Sequence, residues 1–435
     1  MINRDKYLQA LIKARENGFP KVITGIRRCG KSYLLNTIYR DYLLSDGVTE
    51  DHILSIDLDN YLYAADRDPL TLADYVRSKC VDKDMHYVFI DEIQKVYTII
   101  NPALTGGTHV LAGKKDTEVI SFVDVVLGLC REKNIDLYIT GSNSRMLSSD
   151  IITEFRDKAT DIRLSPLSFQ EYHSFTGRSA EEDIYEYMQF GGMPLAVQKS
   201  DSEKKEYLKN LFEMTYFKDI LERHHLKKTE ALEELCDVIS ASTGQLLNAE
   251  KIANTFQSVR HEKIARETVQ DYLNCFSDAF ILQEAKRYDL KGRKEIGALR
   301  KYYFSDTGLR NARLNFAYPD EGQMLENIVY NELLYNGYTV NVGCFASIEK
   351  NKEGKSVRKE NEIDFYARKD LRAYDIQITA DLNSPITRAR EVRPYFLLND
   401  QVQKIIVINR PVKETRDENG FTIIGITDFL LRFIL

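Results

Sequence analysis

Two kinds of hydrophobic pattern divide the chain. Up to about residue 170, short apolar runs alternate with stretches in which apolar residues recur at helical spacing. This alternation predicts a parallel α/β sheet with helices packed on it. The predicted strands are Val22 to Thr24, Ile53 to Leu58, Tyr87 to Ile90, Leu137 to Thr140 and Asp161 to Leu164. Residues 101–121, between the third and fourth strands, show neither pattern and are predicted to form a surface loop.

The pattern changes again beyond residue 170. Strand signals are missing from the next seventy residues, where helical spacing predicts a lid with a hinge at Gly191-Gly192-Met193-Pro194. Two helices and a hairpin from Ile281 to Phe304 then suggest a winged helix, and a final helix-and-strand mixture predicts a second α/β domain. The predicted domains are 1–170 (α/β sheet), 171–242 (helical lid), 243–319 (winged helix) and 320–435 (second α/β domain).

Composition restricts the class of protein. A chain of 435 residues is too long for one core, which agrees with several domains. Its 43% hydrophobic and 29% charged residues are typical of a soluble globular protein, and no apolar run is long enough to cross a membrane. Six cysteines without a Cys-x-x-Cys pair indicate neither a zinc site nor a disulfide framework. We therefore expect a cytoplasmic location.

The segment after the first predicted strand has the spacing of a phosphate-binding P-loop. It reads Gly25-Ile26-Arg27-Arg28-Cys29-Gly30-Lys31-Ser32 and leads into a helix-forming stretch. Glycines let backbone N–H groups surround phosphates, and the helix N-terminus adds partial positive charge. We expect Lys31 to neutralise phosphate and Ser32 to hold Mg²⁺. The predicted nucleotide-binding residues are Gly25, Arg27, Arg28, Cys29, Gly30, Lys31, Ser32 and Tyr33, a chance glycine-rich turn being the alternative.

Two carboxylates follow the third predicted strand. Asp91 and Glu92 come directly after the apolar run Tyr87 to Ile90, at the strand end where open α/β sheets bind their ligands. This is a Walker B pattern, in which Asp91 would hold Mg²⁺ and Glu92 would polarise the attacking water. The alternative is an acidic strand end that caps the next helix.

Short polar residues follow the fourth predicted strand. Thr140-Gly141-Ser142-Asn143-Ser144 would lie beside the terminal phosphate, and Ser142 or Asn143 could orient the attacking water. The alternative is that this cluster is simply a turn.

Several further motifs agree with a known family. They are Phe89-Ile90-Asp91-Glu92-Ile93-Gln94, Pro166-Leu167-Ser168-Phe169-Gln170-Glu171-Tyr172, Gly191-Gly192-Met193-Pro194, Phe304-Ser305-Asp306-Thr307-Gly308-Leu309, Leu325-Glu326-Asn327 and Glu362-Ile363-Asp364-Phe365. With the P-loop they make nearly the whole chain resemble the prokaryotic ATPases of the AAA type (AAA+ superfamily). Members of that group carry a C-terminal domain of unknown function with a winged helix and a degenerate nuclease-like core of the PD-(D/E)xK kind.

The resemblance has consequences for cofactors and partners. It implies ATP as the nucleotide, with Mg²⁺, and assembly or partner contacts that supply an arginine to the terminal phosphate. Arg156 stands at the first of two positions where the family usually has arginines, and Lys158 stands at the second. Lysine lacks the planar fork of arginine, so this difference matters for phosphate binding. Arg156 is thus a candidate arginine finger, a surface salt bridge being the alternative.

The C-terminal segment holds carboxylates in the order of a nuclease core. Glu326 lies on a predicted helix, Asp364 on a strand and Gln377 on the next strand, whereas Thr379 occupies the position expected to be lysine. Lys359 or Lys369 could substitute from nearby positions. We expect a degenerate fold that serves binding or packing, with no nuclease activity.

The hairpin of the predicted winged helix is rich in basic residues. Lys286, Arg287, Lys291, Arg293, Lys294, Arg300 and Lys301 outnumber Asp289 and Glu295. Such a hairpin could follow the phosphates of a nucleic acid or form a solvated or protein-contacting face. The leading hypothesis is an ATPase that drives or switches a module binding DNA or protein, in a chain that could also form a homo-oligomer. The alternatives are an ATP-dependent nuclease and a non-hydrolysing, nucleotide-gated scaffold.

Overall fold

The computed structural model describes most of the chain as two compact units. The described residues are 2–113, 115–142, 159–217, 220–221, 230–260, 264–317, 320–350, 355–380, 382, 384–398 and 400–435. The first unit comprises Met1–Ser165 with Asp278–Phe280, and the second comprises Pro166–Ser277 with Ile281–Leu435.

A parallel five-stranded sheet forms the centre of the first unit. Its order is β2-β3-β6-β1-β7, and all of its paired strands run in the same direction. The strands of this unit are β1 (Lys21–Thr24), β2 (Ile53–Asp57), β3 (His86–Asp91), β4 (Ile99–Ile100), β5 (Val119–Ile120), β6 (Ile135–Gly141) and β7 (Thr160–Arg163). All five predicted strands are therefore confirmed. The two short strands β4 and β5 pair with each other and close the predicted surface loop.

Helices cover both faces of this sheet, as its apolar strands require. On one face, Pro69–Lys79 and Phe122–Leu129 pack on Val88, Ile90 and other strand residues in a continuous hydrophobic core. On the other face, Tyr39 contacts the rings of Phe89 and Tyr138. The remaining helical segments of the unit are Asp5–Ala14, Lys31–Tyr33, the π-helical Leu34–Tyr39, Arg40–Ser45 and four short 3₁₀ turns at Glu50–His52, Tyr61–Tyr63, Ala65–Arg67 and Ile93–Lys95.

The second unit begins with helices and ends in a large mixed sheet. Its helical segments are Phe169–Thr176, Ala180–Phe190, Pro194–Val197, Asp201–Asn210, Leu211–Phe217, Glu230–Ala241, Ala249–Arg260, Arg266–Asp278, Thr307–Arg313, Glu321–Tyr335, Pro385–Leu397, Ile426–Asp428 and Phe429–Phe433. Its strands are β8 (Leu282–Asp289), β9 (Lys294–Phe304), β10 (Thr339–Lys350), β11 (Ser356–Lys369), β12 (Arg372–Thr379), β13 (Gln403–Ile408), β14 (Thr415–Arg416) and β15 (Thr422–Gly425). These elements confirm the predicted mixture of helix and strand.

The predicted hairpin belongs to the same sheet as the C-terminal strands. The sheet order is β14-β15-β13-β12-β11-β10-β8-β9, and β8 pairs in parallel with β10 over Val342–Cys344. The sequence places these strands in two domains divided at residue 319, whereas backbone hydrogen bonds join them in one sheet. The hairpin residues alternate between sheet faces, and such a local pattern does not show which strand will pair at the edge. The domain boundaries themselves remain predictions.

The buried carboxylate of Asp306 accepts a hydrogen bond from the predicted hinge Gly191-Gly192-Met193-Pro194. Gly191 ends the helix Ala180–Phe190, and Asp306 Oδ2 accepts a 2.7 Å hydrogen bond from the Gly192 N–H. A Cβ atom on Gly191 would lie 2.2 Å from Asp306 Oδ1, and the positive φ of 68° also favours glycine there. Burial raises the pKa of Asp306 to about 6, although backbone N–H donors oppose this shift.

Candidate nucleotide-binding site

The P-loop leaves the carboxyl end of β1 and leads directly into a helix. Gly25 has a φ of 145°, and a Cβ atom at this position would lie 2.1 Å from the backbone oxygen of Leu164. Gly30 has a φ of 102° and immediately precedes the helical residues that begin at Lys31. The Leu34 N–H donates to Gly30 O over 2.8 Å, which is the first bond of this helix. The N–H groups of its first turn therefore have no partner within the helix and can serve an anion.

Lys31 lies folded against the loop that it follows. Its side chain is 5% exposed, and Nζ donates to the carbonyl oxygens of Gly25 and Ile26 over 3.1 and 3.3 Å. These contacts hold an ammonium group inside the loop, at the position that a phosphate-binding lysine needs. Cys29 is also buried, with its sulfur 3.6 Å from Leu164 O, and burial raises the pKa of its thiol. Cys29 therefore contributes packing to the loop.

Ser32, Asp91 and Thr140 form a chain of hydrogen bonds at the carboxyl ends of the strands. Ser32 Oγ donates to Asp91 Oδ2, and Thr140 Oγ1 donates to Asp91 Oδ1. The Glu92 N–H in turn donates to Thr140 Oγ1 over 3.1 Å. β6 lies between β1 and β3, so Thr140 on β6 reaches Asp91 at the end of β3 and Glu92 directly after it. A hydroxyl and a carboxylate oxygen thus lie together, and both are suitable ligands for Mg²⁺.

Glu92 is held by its own set of donors. Its Oε2 accepts a 3.2 Å hydrogen bond from Ser142 Oγ and a further one from Gln94 Nε2. Glu92 also has a φ of 55°, in the left-handed region that non-glycine residues rarely adopt. Strained backbone of this kind often occurs at functional sites, where the surrounding contacts maintain it. The orientation of the Glu92 carboxylate is therefore fixed by neighbouring side chains and by its backbone.

The remaining predicted loop residues lie at the surface of the site. Arg27 Nη2 lies 3.4 Å from Asp59 Oδ2, and Lys95 Nζ lies 3.1 Å from Asp59 Oδ1. Although partial burial opposes it, Lys95 holds the pKa of Asp59 below its usual value. Arg28 and Tyr33 are exposed, and Arg28 has a positive φ of 66°. Through its contact with Arg27, Asp59 thus links the P-loop to the segment that follows β2.

The structure brings most of the predicted site together and adds two residues. Ser32, Asp91, Glu92 and Ser142 are joined by hydrogen bonds, directly or through one further side chain. Asn143 and Arg156 lie outside the described residues. The sequence gives neither the contact of Thr140 with Asp91 nor that of Gln94 with Glu92, because a strand-end threonine and a glutamine in a short turn have no chemical signature of their own. Their proximity to two consecutive carboxylates was the available signal.

The C-terminal carboxylates form a separate, largely neutralised cluster. Lys301 Nζ lies 2.8 Å from both Glu326 Oε1 and Glu362 Oε1, and Tyr303 OH donates to Glu326 over 2.5 Å. Burial and the nearby Glu326 charge raise the pKa of Asp364 well above its usual value. Lys301 comes from β9, and neither Lys359 nor Lys369 takes that position. One ammonium group thus already pairs with two of the carboxylates, which favours a packing role for them.

Carboxylates also balance much of the basic hairpin. Lys286 lies 3.3 Å from Glu295, Arg287 lies 2.5 Å from Glu360, and Arg300 pairs with Glu284. Lys301 is buried against Glu326 and Glu362, as described above. Lys291, Arg293 and Lys294 remain exposed at the tip. The local surplus of positive charge that the sequence suggests is therefore smaller on the folded surface.

Comparison with known proteins places this geometry in a family. The chain is 30% identical over 438 residues to an uncharacterized protein of Haemophilus influenzae, with 99% of each chain covered. The chain belongs to the same protein family. Residues 17–173 match the AAA domain family, and residues 181–320 match a domain of unknown function (DUF8612). The N-terminal part of this family member is therefore a P-loop domain of the AAA type.

Two further proteins are more distantly similar to this chain over most of its length. It is 26% identical over 395 residues to an uncharacterized protein of Methanocaldococcus jannaschii, covering 86% of this chain and 77% of that one. A Walker-type ATPase of Pyrococcus abyssi is similar in structure with a TM-score of 0.47 and 14% identity, covering 72% of this chain and 96% of that chain. Among the described residues, no helix combines the length and the apolar composition needed to cross a membrane.

Proposed function

We propose that the chain binds ATP with Mg²⁺ and hydrolyses it to ADP and phosphate. The observation that carries the proposal is the joined network in which Ser32 donates to Asp91 and Ser142 donates to Glu92 over 3.2 Å. A P-loop alone predicts nucleotide binding, whereas an oriented carboxylate next to the metal-ligand pair supports hydrolysis.

The donor set fits the cofactors that we propose. Gly25, Gly30 and the first helical turn would hold the phosphates with Lys31, and Ser32 and Asp91 would hold Mg²⁺. Bound Mg²⁺ would neutralise charge that develops on the phosphate oxygens. Lys31 would exchange its bonds to Gly25 O and Ile26 O for bonds to phosphate, and the exchange keeps its ammonium paired.

Glu92 would act as the general base. Its carboxylate would take a proton from the attacking water, while Ser142 and Gln94 hold the carboxylate in one orientation. Both of these donors bond to Oε2, and we propose that Oε1 takes the proton. We propose Asn143 as a further polar contact because it follows the strand that comes after the Walker B carboxylates in sequence, and Arg156 as an arginine finger on the strength of the family resemblance.

We further propose that hydrolysis drives or switches a partner-binding module in the second compact unit. The helices Ala249–Arg260 and Arg266–Asp278 precede the β8 to β9 hairpin in the order of a winged helix, which supports a DNA or protein partner. The exposed tip residues Lys291, Arg293 and Lys294 are the candidates for phosphate contacts. Assembly into a homo-oligomer would provide a route by which one chain supplies an arginine to the next.

Phosphate release by the purified full-length chain tests the enzymatic proposal. Lys31→Ala should abolish ATP binding, and Glu92→Gln should bind ATP but release phosphate at least about a hundredfold more slowly, since general base catalysis contributes about 10²- to 10⁴-fold. Glu132→Gln, which alters an exposed carboxylate paired with Arg77, is the matched control and should behave as wild type. Hydrolysis by Glu92→Gln at the wild-type rate would show that Glu92 is not the base.

The same assay tests the partner proposal. Duplex DNA, RNA and cell extract are added separately, with Lys31→Ala as the background. Stimulation by DNA that disappears when Lys291, Arg293 and Lys294 are replaced by glutamine supports the hairpin as the contact. Tight ATP binding without phosphate release under every condition would instead favour the nucleotide-gated scaffold.

A further inference from the structure

Three potential metal ligands meet at the edge of the first sheet opposite the P-loop. His52 ends the turn Glu50–His52 directly before β2, and His86 is the first residue of β3. The two strands are parallel neighbours with Ile53 opposite Tyr87, so the register places the two histidines side by side. Asp82 lies in the segment between the helix Pro69–Lys79 and β3. Three separate segments thus each contribute one ligand.

The distances suit a single small cation. His52 Nε2 lies 3.3 Å from Asp82 Oδ2, and His86 Nε2 lies 3.8 Å from Asp82 Oδ1. One ligand atom from each of the three residues can be chosen so that all lie within 4.8 Å of one another. Bonds of about 2.0 to 2.2 Å in a tetrahedral zinc site imply ligand atoms about 3.3 to 3.6 Å apart. Among the described residues, no other group of three histidine, cysteine or carboxylate side chains has one ligand atom each within 4.8 Å of one another.

The Nδ1 atoms of both histidine rings already have hydrogen-bond partners. His86 Nδ1 lies 2.9 Å from the carbonyl oxygen of Asp84, which can only accept, so Nδ1 carries the proton and a neutral ring presents a lone pair at Nε2. His52 Nδ1 lies 2.7 Å from Thr49 Oγ1, which can accept in the same way. Metal-binding histidines are oriented by contacts of this kind.

His52 has an unsatisfied nitrogen that faces the carboxylate. Its Nε2 is buried and forms no hydrogen bond within the described part of the chain, although Asp82 Oδ2 is only 3.3 Å away. Buried polar atoms are seldom left without a partner. A cation between the ring and the carboxylate would satisfy Nε2, and the His52 and His86 rings would then share that cation with Asp82.

We propose that His52, Asp82 and His86 bind a transition-metal ion of the zinc class. Two imidazoles and one carboxylate select Zn²⁺ and similar ions over Mg²⁺, which prefers oxygen ligands. The site is distinct from the nucleotide site, because His86 and Asp91 are the two ends of β3 and lie roughly 17 Å apart at about 3.3 Å per residue. The bound ion connects β2 and β3 to the segment that precedes β3, so it stabilises this edge of the sheet.

Zinc binding by the full-length chain, purified without a histidine tag, tests the proposal. After treatment with a chelator, the wild-type protein should take up one equivalent of Zn²⁺ by elemental analysis and titration. Its melting temperature should rise with Zn²⁺ but not with the same concentration of Mg²⁺. Co²⁺ in place of Zn²⁺ should give the visible absorption of a site with nitrogen ligands.

Variants separate this site from adventitious binding. His52→Gln and Asp82→Asn should each weaken zinc binding by at least about tenfold and abolish the rise in melting temperature. Asp82 is half-exposed, so its replacement leaves the core intact. The matched control is His109→Gln, because His109 pairs with Asp68 over 2.9 Å without a second imidazole, and it should bind zinc as wild type does. Zinc binding that is equal in wild type and both site variants, or absent from wild type, overturns the proposal.

Discussion

Replacing Thr140 with valine tests whether the network around the carboxylates supports hydrolysis. Valine has nearly the same shape as threonine and lacks the hydroxyl. In the structure that hydroxyl donates to Asp91 Oδ1 and accepts from the Glu92 N–H over 3.1 Å. The substitution therefore removes a side chain that contacts both consecutive residues, Asp91 through its carboxylate and Glu92 through its backbone, and leaves the P-loop unchanged.

The expected loss follows from the kind of bond removed. A hydrogen bond to a charged group contributes about 1.5 to 3 kcal/mol, and each 1.36 kcal/mol of barrier is tenfold in rate. If Thr140 holds Asp91 and Glu92 in place in the transition state, kcat should fall about 10- to 150-fold. The KM for ATP should change little, because Lys31 and the loop glycines are intact. The Mg²⁺ concentration for half-maximal activity should rise, because Asp91 loses a partner.

Steady-state phosphate release over a range of ATP and Mg²⁺ concentrations measures these quantities. Thr140→Ser restores the hydroxyl and should recover most of the rate. Thr24→Val is the matched control: Thr24 lies on β1 of the same sheet, is equally buried and has a hydroxyl without a hydrogen-bond partner in the described residues. Wild-type kcat and Mg²⁺ dependence in a folded Thr140→Val protein would refute the reasoning.

Two further substitutions test the packing and charge of the fold. Gly25→Ala should destabilise the chain by about 1 to 3 kcal/mol more than Gly30→Ala in thermal unfolding, because both glycines have positive φ but only a Cβ on Gly25 would meet a backbone oxygen, at 2.1 Å. Equal melting temperatures would contradict that clash. Burial, and then Asp400, raises the pKa of Asp375 to about 7. Because the folded-state pKa lies above the unfolded value, stability should fall as pH rises through 7, by about 2 kcal/mol between about pH 5.5 and 8.5. Asp375→Asn should lose this part of the pH dependence, and an unchanged pH profile of the melting temperature would contradict the assignment.

Local sequence determined the elements of the first unit and most of its site. The apolar runs predicted all five strands because a parallel sheet covered on both faces requires strands that are apolar on both sides. The P-loop was recognisable because glycine, lysine and serine are needed at fixed spacing along one short segment. Asp91 and Glu92 were recognisable for a related reason, since they directly follow the apolar run Tyr87 to Ile90.

The tertiary structure decided which strands are neighbours. The placement of β6 between β1 and β3 brings Thr140 and Ser142 to the two carboxylates, and this order is not encoded in the spacing along the chain. Strand order depends on how separate segments pack, and many orders are compatible with the same local pattern. The same limit explains Lys301, which reaches Glu326 and Glu362 from a hairpin that the sequence assigns to another domain.

The cluster of His52, Asp82 and His86 shows this division most clearly. Cysteine spacing gave no sign of a zinc site, and the Mg²⁺ ligands predicted from the sequence, Ser32 and Asp91, lie elsewhere. His52 is distant in sequence from Asp82 and His86, and the short spacing between Asp82 and His86 matches no recognisable metal-binding motif on its own. They become neighbours because β2 and β3 pair in parallel with Ile53 opposite Tyr87. Residues that act within one segment can be predicted from sequence, whereas residues brought together by strand pairing become apparent only when the sheet has formed.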